Sequence, residues 1–420
     1  MSWKSRLATV AIITLAIFAE LAPSLKINPI HLANPNHSKA VAMTPPNNQR
    51  NVDARLVAAN TKFGFNLFNT LTKQQPNQNI FISPTSVALA LSMAYNGVSG
   101  ETKQEMTKVL ELTGMTPQEI NAANQALQNS FQKVDSNVQV LIANSLWAQQ
   151  GFSLKPEFMQ TNQQYYNSNL TELDFMNPQA LSIINNWVSQ KTQGKIDKIV
   201  DKITPGEVLF LINAIYFKGN WKTPFDKSQT ANKTFFLPNG ISKQHPMMSQ
   251  KGFYWYYETD KFEAVSLPYG KQGSLSMYIF LPRLNSNLET FLQQLTAENW
   301  NEWMQEFTHI NATIEIPRFQ IEYEVELQNT LTALGMAGIF DISKADFSPM
   351  TDDNVAVASV KHKTFVEVNE EGTEAAAITS IQLTRSASPF QMNVNRPFFC
   401  AIRDNTTGTI LFMGTIVDPK

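Results

Sequence analysis

The spacing of apolar residues changes along this chain, and that change constrains the fold more than any single motif. In the first third, apolar positions recur near helical spacing: Leu56, Phe63, Leu67, Phe68 and Leu71 share one face. Ser83-Pro84 reads as an N-cap with proline at the first helical position. The helix it opens, through Val87, Leu91 and Tyr95, is apolar almost all round, which predicts a buried helix. Thr102 with Glu105, and Thr116 with Glu119, have capping-box spacing and predict two further helix starts. Residues 181–193 predict a short amphipathic helix stopped by Gly194, and 330–335 a Gly-terminated one.

Later the period shortens. Residues 138–147 alternate in part and predict a strand. Residues 208–217 are apolar almost without a break, which suggests a central strand buried on both faces. Residues 253–257, 264–267 and 275–281 read as strands. So do 313–316 and 319–327, separated by Pro317. Residues 398–402 and 410–416 form a hairpin across 404–408. Helices dominate first and strands later, which predicts an α+β fold rather than alternating α/β. No repeat appears and no linker interrupts 51–420, so this stretch is expected to be one domain.

The N-terminus has a different character. Lys4 and Arg6 precede an apolar run from Leu7 to Phe18, followed by Ala19 and Ala22. The run ends at Glu20, short of the roughly 20 apolar residues needed to cross a bilayer. Residues 1–22 are therefore expected to be a secretory signal peptide and the protein to be secreted, extracellular or periplasmic. The cleavage point stays open, since Ala40-Val41-Ala42 is a better triplet but lies far from the run. Residues 23–50 are rich in Asn and Pro and read as a flexible spacer. Cys400 is the single cysteine, so no internal disulfide can form and the core alone must hold the fold. Cys400 lies in an apolar strand and is expected to be a buried packing residue.

The chemistry of most enzyme classes is missing. There is no G-x-S-x-G elbow, Walker loop or dinucleotide fingerprint. The five histidines (His31, His37, His245, His309 and His362) are scattered, so no metal site is expected. The 33 basic and 35 acidic residues leave no basic excess for nucleic acid. Glu367, Glu370, Glu371 and Glu374 cluster, but they lack the spacing of a catalytic pair and are expected to be a solvated acidic stretch. Four N-x-T sequons begin at Asn169, Asn232, Asn311 and Asn405, and matter only in a host that glycosylates exported proteins.

The most informative segment is 364–389. Phe365, Val366 and Val368 begin a strand that Asn369-Glu370-Glu371-Gly372 breaks. From 373 to 384, one alternate face carries Thr373, Ala375, Ala377, Thr379, Ile381 and Leu383, and the other is mostly polar. This is the period of a strand with one buried face, yet loop-forming residues bracket it. Two readings stand: an ordinary strand, or a loop that can become one.

At this point the residues resemble a family, the serpins. Residues 79–86 (NIFISPTS) look like the start of that family's buried N-terminal helix. Residues 213–221 (NAIYFKGNW) look like its central strand. Phe347-Ser348 and His362-Lys363 sit where the family has them. Residues 365–377 (FVEVNEEGTEAAA) are similar to the family's hinge, and Asn395-Arg396-Pro397-Phe398 to its signature after the reactive loop. The resemblance runs from about Asn51 to Pro419.

The resemblance implies three β-sheets with about nine helices and an exposed reactive loop. It implies suicide inhibition of a serine protease: the protease attacks the loop, and the loop inserts into the large sheet as an extra strand. It assigns the hinge to Glu370, Gly372, Thr373, Glu374, Ala375, Ala376 and Ala377. Ser83, Ser86, Asn213 and His362 become the polar cluster beneath the sheet, and Trp221 the residue at its opening. Family spacing places the reactive bond between Ser386 and Ala387, which suits an elastase-like or subtilisin-like enzyme. Arg385-Ser386 is the alternative and suits a trypsin-like one. Residues 102–112 carry only Lys103 and Lys108 against Glu105 and Glu111, so no heparin-type cofactor is expected, and no other cofactor either. A monomer without enzymatic activity is expected. A non-inhibitory carrier of the same fold is the alternative, because fold does not fix function.

Overall fold

The computed structural model describes residues 52–420, apart from 132–134, 136, 205, 239 and 374–389. Among the described residues there are nine α-helices: α1 Ala54–Gln74, α2 Pro84–Tyr95, α3 Gly100–Val109, α4 Pro117–Phe131, α5 Pro156–Tyr166, α6 Ala180–Lys191, α7 Leu288–Gln294, α8 Ala297–Trp303 and α9 Gln328–Ala333. The strands are β1 Ile80–Ile82, β2 Val138–Gln149, β3 Asn169–Leu173, β4 Leu209–Asn220, β5 Ala231–Phe236, β6 Ser242–Glu258, β7 Phe262–Tyr269 and β8 Leu275–Pro282. They continue as β9 Thr308–Pro317, β10 Phe319–Glu326, β11 Ser359–Val368, β12 Gly372–Thr373, β13 Phe390–Asn393, β14 Phe398–Asp404 and β15 Ile410–Ile416.

Local chemistry sets several of these limits. Ser83 caps α2, its hydroxyl accepting from the Ser86 N–H at 3.3 Å, and all twelve α2 residues are buried. The box at α4 closes in both directions: Thr116 N–H donates to Glu119 at 2.8 Å and Glu119 N–H to Thr116 at 3.3 Å. The box expected at Thr102 does not form. Helix α3 begins at Gly100, and Ser99 at its cap makes no side-chain capping bond. Thr102 instead accepts from the Asp346 N–H at 3.0 Å, and Glu105 accepts from that of Gly338 at 2.6 Å. A tertiary contact has taken both side chains.

The strands form two hydrogen-bonded sheets. One runs β10-β11-β4-β2-β3, with β12 added beside β4. The other runs β1-β15-β14-β8-β7-β6-β9-β13, with β5 on β6. The three sheets of the sequence reading are joined into two because β6 is continuous: its first residues pair with β5, its body with β9 and its last four with β7.

Strand β4 is buried on both faces, as its apolar run predicts. Leu209, Leu211, Ile215 and Phe217 belong to the main core with α2. Phe210, Ile212, Ala214 and Tyr216 belong to a second core, with Ile184 and Val188 of α6 and Ile196, Ile199 and Val200 of the segment after it. Cys400 is buried in β14, where burial pushes its thiol pKa up, so it packs as expected.

Candidate functional site

The site is a seam between two parallel strands. β11 pairs with β4 in parallel register from Ser359↔Phe210 to Phe365↔Tyr216. Both strands run on past that point, but β12 then takes the place beside β4, antiparallel, with Gly372↔Asn220 and Thr373↔Gly219. Asn369 and Gly372 form an antiparallel bridge around Glu370-Glu371, so β11 turns back on itself within two residues. Gly372 makes this turn possible. Its φ is +132°, and a Cβ there would lie 2.2 Å from the Gly219 carbonyl oxygen. A strand continuing from β12 would run antiparallel to both β4 and β11.

The turn is held from several sides. Trp221 donates its backbone N–H to the Glu371 carbonyl and its indole N–H to that of Asn369, both at 2.9 Å. Its ring stacks on Tyr269, with centroids 4.3 Å apart. The Phe225 N–H donates to the Glu370 carbonyl at 2.8 Å. Lys227 pairs with the Glu371 carboxylate at 2.5 Å.

Glu370 departs from the sequence reading. It is 1% exposed, so this part of the acidic cluster is not solvated. The Arg318 guanidinium binds its carboxylate through two nitrogens, and the Thr230 hydroxyl donates to it as well. Burial raises its pKa, but the bonds from Arg318 and Thr230 outweigh burial and hold it below the usual range.

The polar cluster lies at the middle of the seam. His362 and Asn213 are register partners across it, and Asn144 of β2 is the partner of Asn213 on the other side. The Ser83 N–H donates to His362 Nε2 at 3.1 Å, so the ring proton sits on Nδ1 and is given to the Asn213 side-chain oxygen. The Asn213 amide donates to the Ser86 carbonyl at 3.1 Å, and also to the Ser86 hydroxyl and to Asn144. Burial pushes the His362 pKa down to about 3, with the contact to Asn213 opposing. The cluster therefore pins the N-terminus of α2 to both seam strands through a neutral imidazole.

The structure thus brings together Ser83, Ser86, Asn213 and His362 at the centre of the seam, and Trp221, Glu370 and Gly372 at its end. Thr373 is placed by its backbone alone. Glu374, Ala375, Ala376, Ala377, Arg385, Ser386 and Ala387 lie outside the described residues, as do residues 1–22 and 23–50. After that segment the chain re-enters at β13, which runs parallel to β9 at the edge of the other sheet. The reading of the sequence missed Arg318, Thr230, Lys227 and Asn144. Each is far from its partner along the chain, and no local pattern marks it.

The comparisons with known proteins agree with this geometry. A family model described as serpin (serine protease inhibitor) matches residues 58–419. Human leukocyte elastase inhibitor is 36% identical over 384 residues, covering 87% of this chain and 100% of that protein. An uncharacterized serpin-like protein of Thermococcus kodakarensis is also 36% identical, over 377 residues, 87% of this chain and 86% of its own. Among solved structures, the thermophilic serpin tengpin in its native state matches with a TM-score of 0.82 at 31% identity, covering 88% of this chain and 95% of its own. Human thyroxine-binding globulin with its ligand matches with a TM-score of 0.82 at 27% identity, covering 87% and 99%. Sequence motifs, sheet topology and relatives converge, and the chain belongs to the serpin family.

Proposed function

We propose that this chain is an exported, monomeric inhibitor of serine proteases that works by suicide trapping. The observation that carries the reading is β12. Its two residues already occupy the first rung of a strand antiparallel to both seam strands. The protease serine attacks the carbonyl of Ser386, or of Arg385 in the alternative register. The peptide bond to the next residue breaks, an ester to the enzyme forms, and the freed amine takes the proton. The N-terminal part of the cut loop then continues from β12 into the seam, carrying the acyl-enzyme with it. Strand addition by a serpin loop is a known mode of recognition. Small residues at Thr373 and Ala375 to Ala377, and the absence of proline between Gly372 and Ser388, support insertion. The name of the human relative, an elastase inhibitor, supports a serine protease as partner.

The likeness to thyroxine-binding globulin favours a second reading, a non-inhibitory carrier. One gel separates the two. The protein is incubated with trypsin, elastase and subtilisin and boiled in SDS. The inhibitor reading expects an adduct of combined mass. A released fragment starting at Ala387 puts the bond after Ser386, and one starting at Ser386 puts it after Arg385. Cleavage by all three enzymes without an adduct would favour the carrier.

A further inference from the structure

The outer face of the seam is covered by the segment that follows α6. Gln193 and Gly194, both at positive φ, turn the chain out of the helix. Ile196, Ile199 and Val200 then pack down into the second core, beside Tyr216 of β4 and Phe365 of β11. Asn185 of α6 fixes this segment by accepting from the Ile199 and Val200 N–H groups at 2.9 and 3.0 Å. Two lysines meet the seam here. Lys363 of β11, 5% exposed, donates to the Lys198 carbonyl at 2.7 Å and pairs with Glu322 at 2.6 Å and Glu324 at 3.2 Å. Lys195 reaches across the seam itself. Its ammonium lies 6.0 Å from the Tyr216 ring centroid and 5.8 Å from that of Phe365, and the two rings are 6.3 Å apart.

We propose that Lys195 is a rate-setting residue for strand insertion: its cation spans one ring from each strand and holds the seam shut. The inference rests on the insertion reading for its consequence but on the ring geometry for its existence. Neighbouring strands lie about 4.8 Å apart, so an inserted strand roughly doubles the separation of β4 and β11. The rings would then stand about 11 Å apart with the new strand between them, so an ammonium within about 6 Å of both would have to lie on the line that strand occupies. The double contact belongs to the closed seam, is lost when it opens, and so slows opening without stabilising the inserted state. Cation–π contacts of this kind correspond to roughly 2- to 30-fold in an equilibrium or rate, depending on desolvation.

The test compares wild type with Lys195→Met, which keeps the apolar stem, and with Lys195→Arg, which keeps the cation. Lys198→Met removes an exposed cation paired with Asp201 and serves as the control. Amide hydrogen exchange is followed in β4 and β11, with β7 and β8 as internal reference. Lys195→Met should speed exchange at the seam by roughly 2- to 30-fold and leave β7 and β8 unchanged, while Lys195→Arg and Lys198→Met follow wild type. Unchanged seam exchange in Lys195→Met, or equal acceleration in β7 and β8, would overturn the proposal. A synthetic peptide of residues 373–384 is then added to each protein. Faster uptake by Lys195→Met extends the role to insertion. Uptake at one rate by all variants would overturn that role. No uptake by any variant, with seam exchange still accelerated, would count against the insertion reading while leaving Lys195 as the clasp.

Discussion

His362 shows how one buried side chain ties the seam to solution pH. Unfolded, it titrates near 6.5; folded, burial holds it near 3. Between these values the unfolded chain binds a proton that the native chain does not. Stability is therefore complete above about pH 6.5 and falls as pH drops toward 3. The slope approaches about 1.4 kcal/mol per pH unit, or about 2 kcal/mol lost by pH 5. His362→Gln can still accept from the Ser83 N–H and donate to Asn213, but it does not titrate. Denaturant unfolding at pH 7, 6 and 5 should show a clear fall in wild type and a much flatter profile in the variant. His245, also held below its usual value mainly by burial, stays in both proteins and does not alter the comparison. Parallel profiles would mean that another group carries the acid sensitivity.

At the scale of elements, the chain turns back within two residues at Glu370-Glu371, and a return strand has begun at Gly372. Thr373 stands opposite Gly219, beside a sheet buried on both faces. An arginine at 373 would bring a long cation to the entry point of the new strand, where burial of an unpaired charge is unfavourable. Insertion should then lose its race with hydrolysis of the ester. Thr373→Arg is expected to be cleaved by the same protease as wild type without forming the SDS-stable adduct; an undiminished adduct would sink the hinge assignment. The turn itself was legible in the sequence, because its signal is local: an acidic pair ended by a glycine. The capping box at Thr116 and the doubly buried strand at 208–217 were legible for the same reason. What failed depended on distant partners. The acidic stretch looked solvated because Arg318 stands 52 residues from Glu370. The Thr102 box looked sound because Asp346 and Gly338, which use its side chains, are more than 200 residues away. The length of β6 was hidden because it opens on polar residues and a proline, Ser242-Lys243-Gln244-His245-Pro246.

For the whole molecule, the trapping proposal requires that the native arrangement not be the one with the most strand pairing. The seam holds seven register pairs in parallel, and parallel pairing is slightly weaker per residue than antiparallel. Insertion would replace that single interface with two antiparallel ones, adding about seven ladder bonds at roughly 1 kcal/mol each. Burial of Ile381 and Leu383 would add about 2 kcal/mol apiece. These gains are opposed by the entropy of ordering the loop, about 1–2 kcal/mol per residue, and the trapping proposal requires the balance to favour the inserted form. A domain of about 370 residues unfolds with an entropy near 0.8 kcal/mol/K, so each 1 kcal/mol of net gain raises Tm by about 1 °C. Cleavage in the loop, by any protease that reaches it, should therefore yield a nicked protein that melts above the intact one. A carrier that keeps its loop outside the sheet would melt at an unchanged temperature after the same cut. The measurement depends on neither the target enzyme nor the register of the reactive bond. It asks only whether the strand begun at β12 continues into the seam once its far end is free.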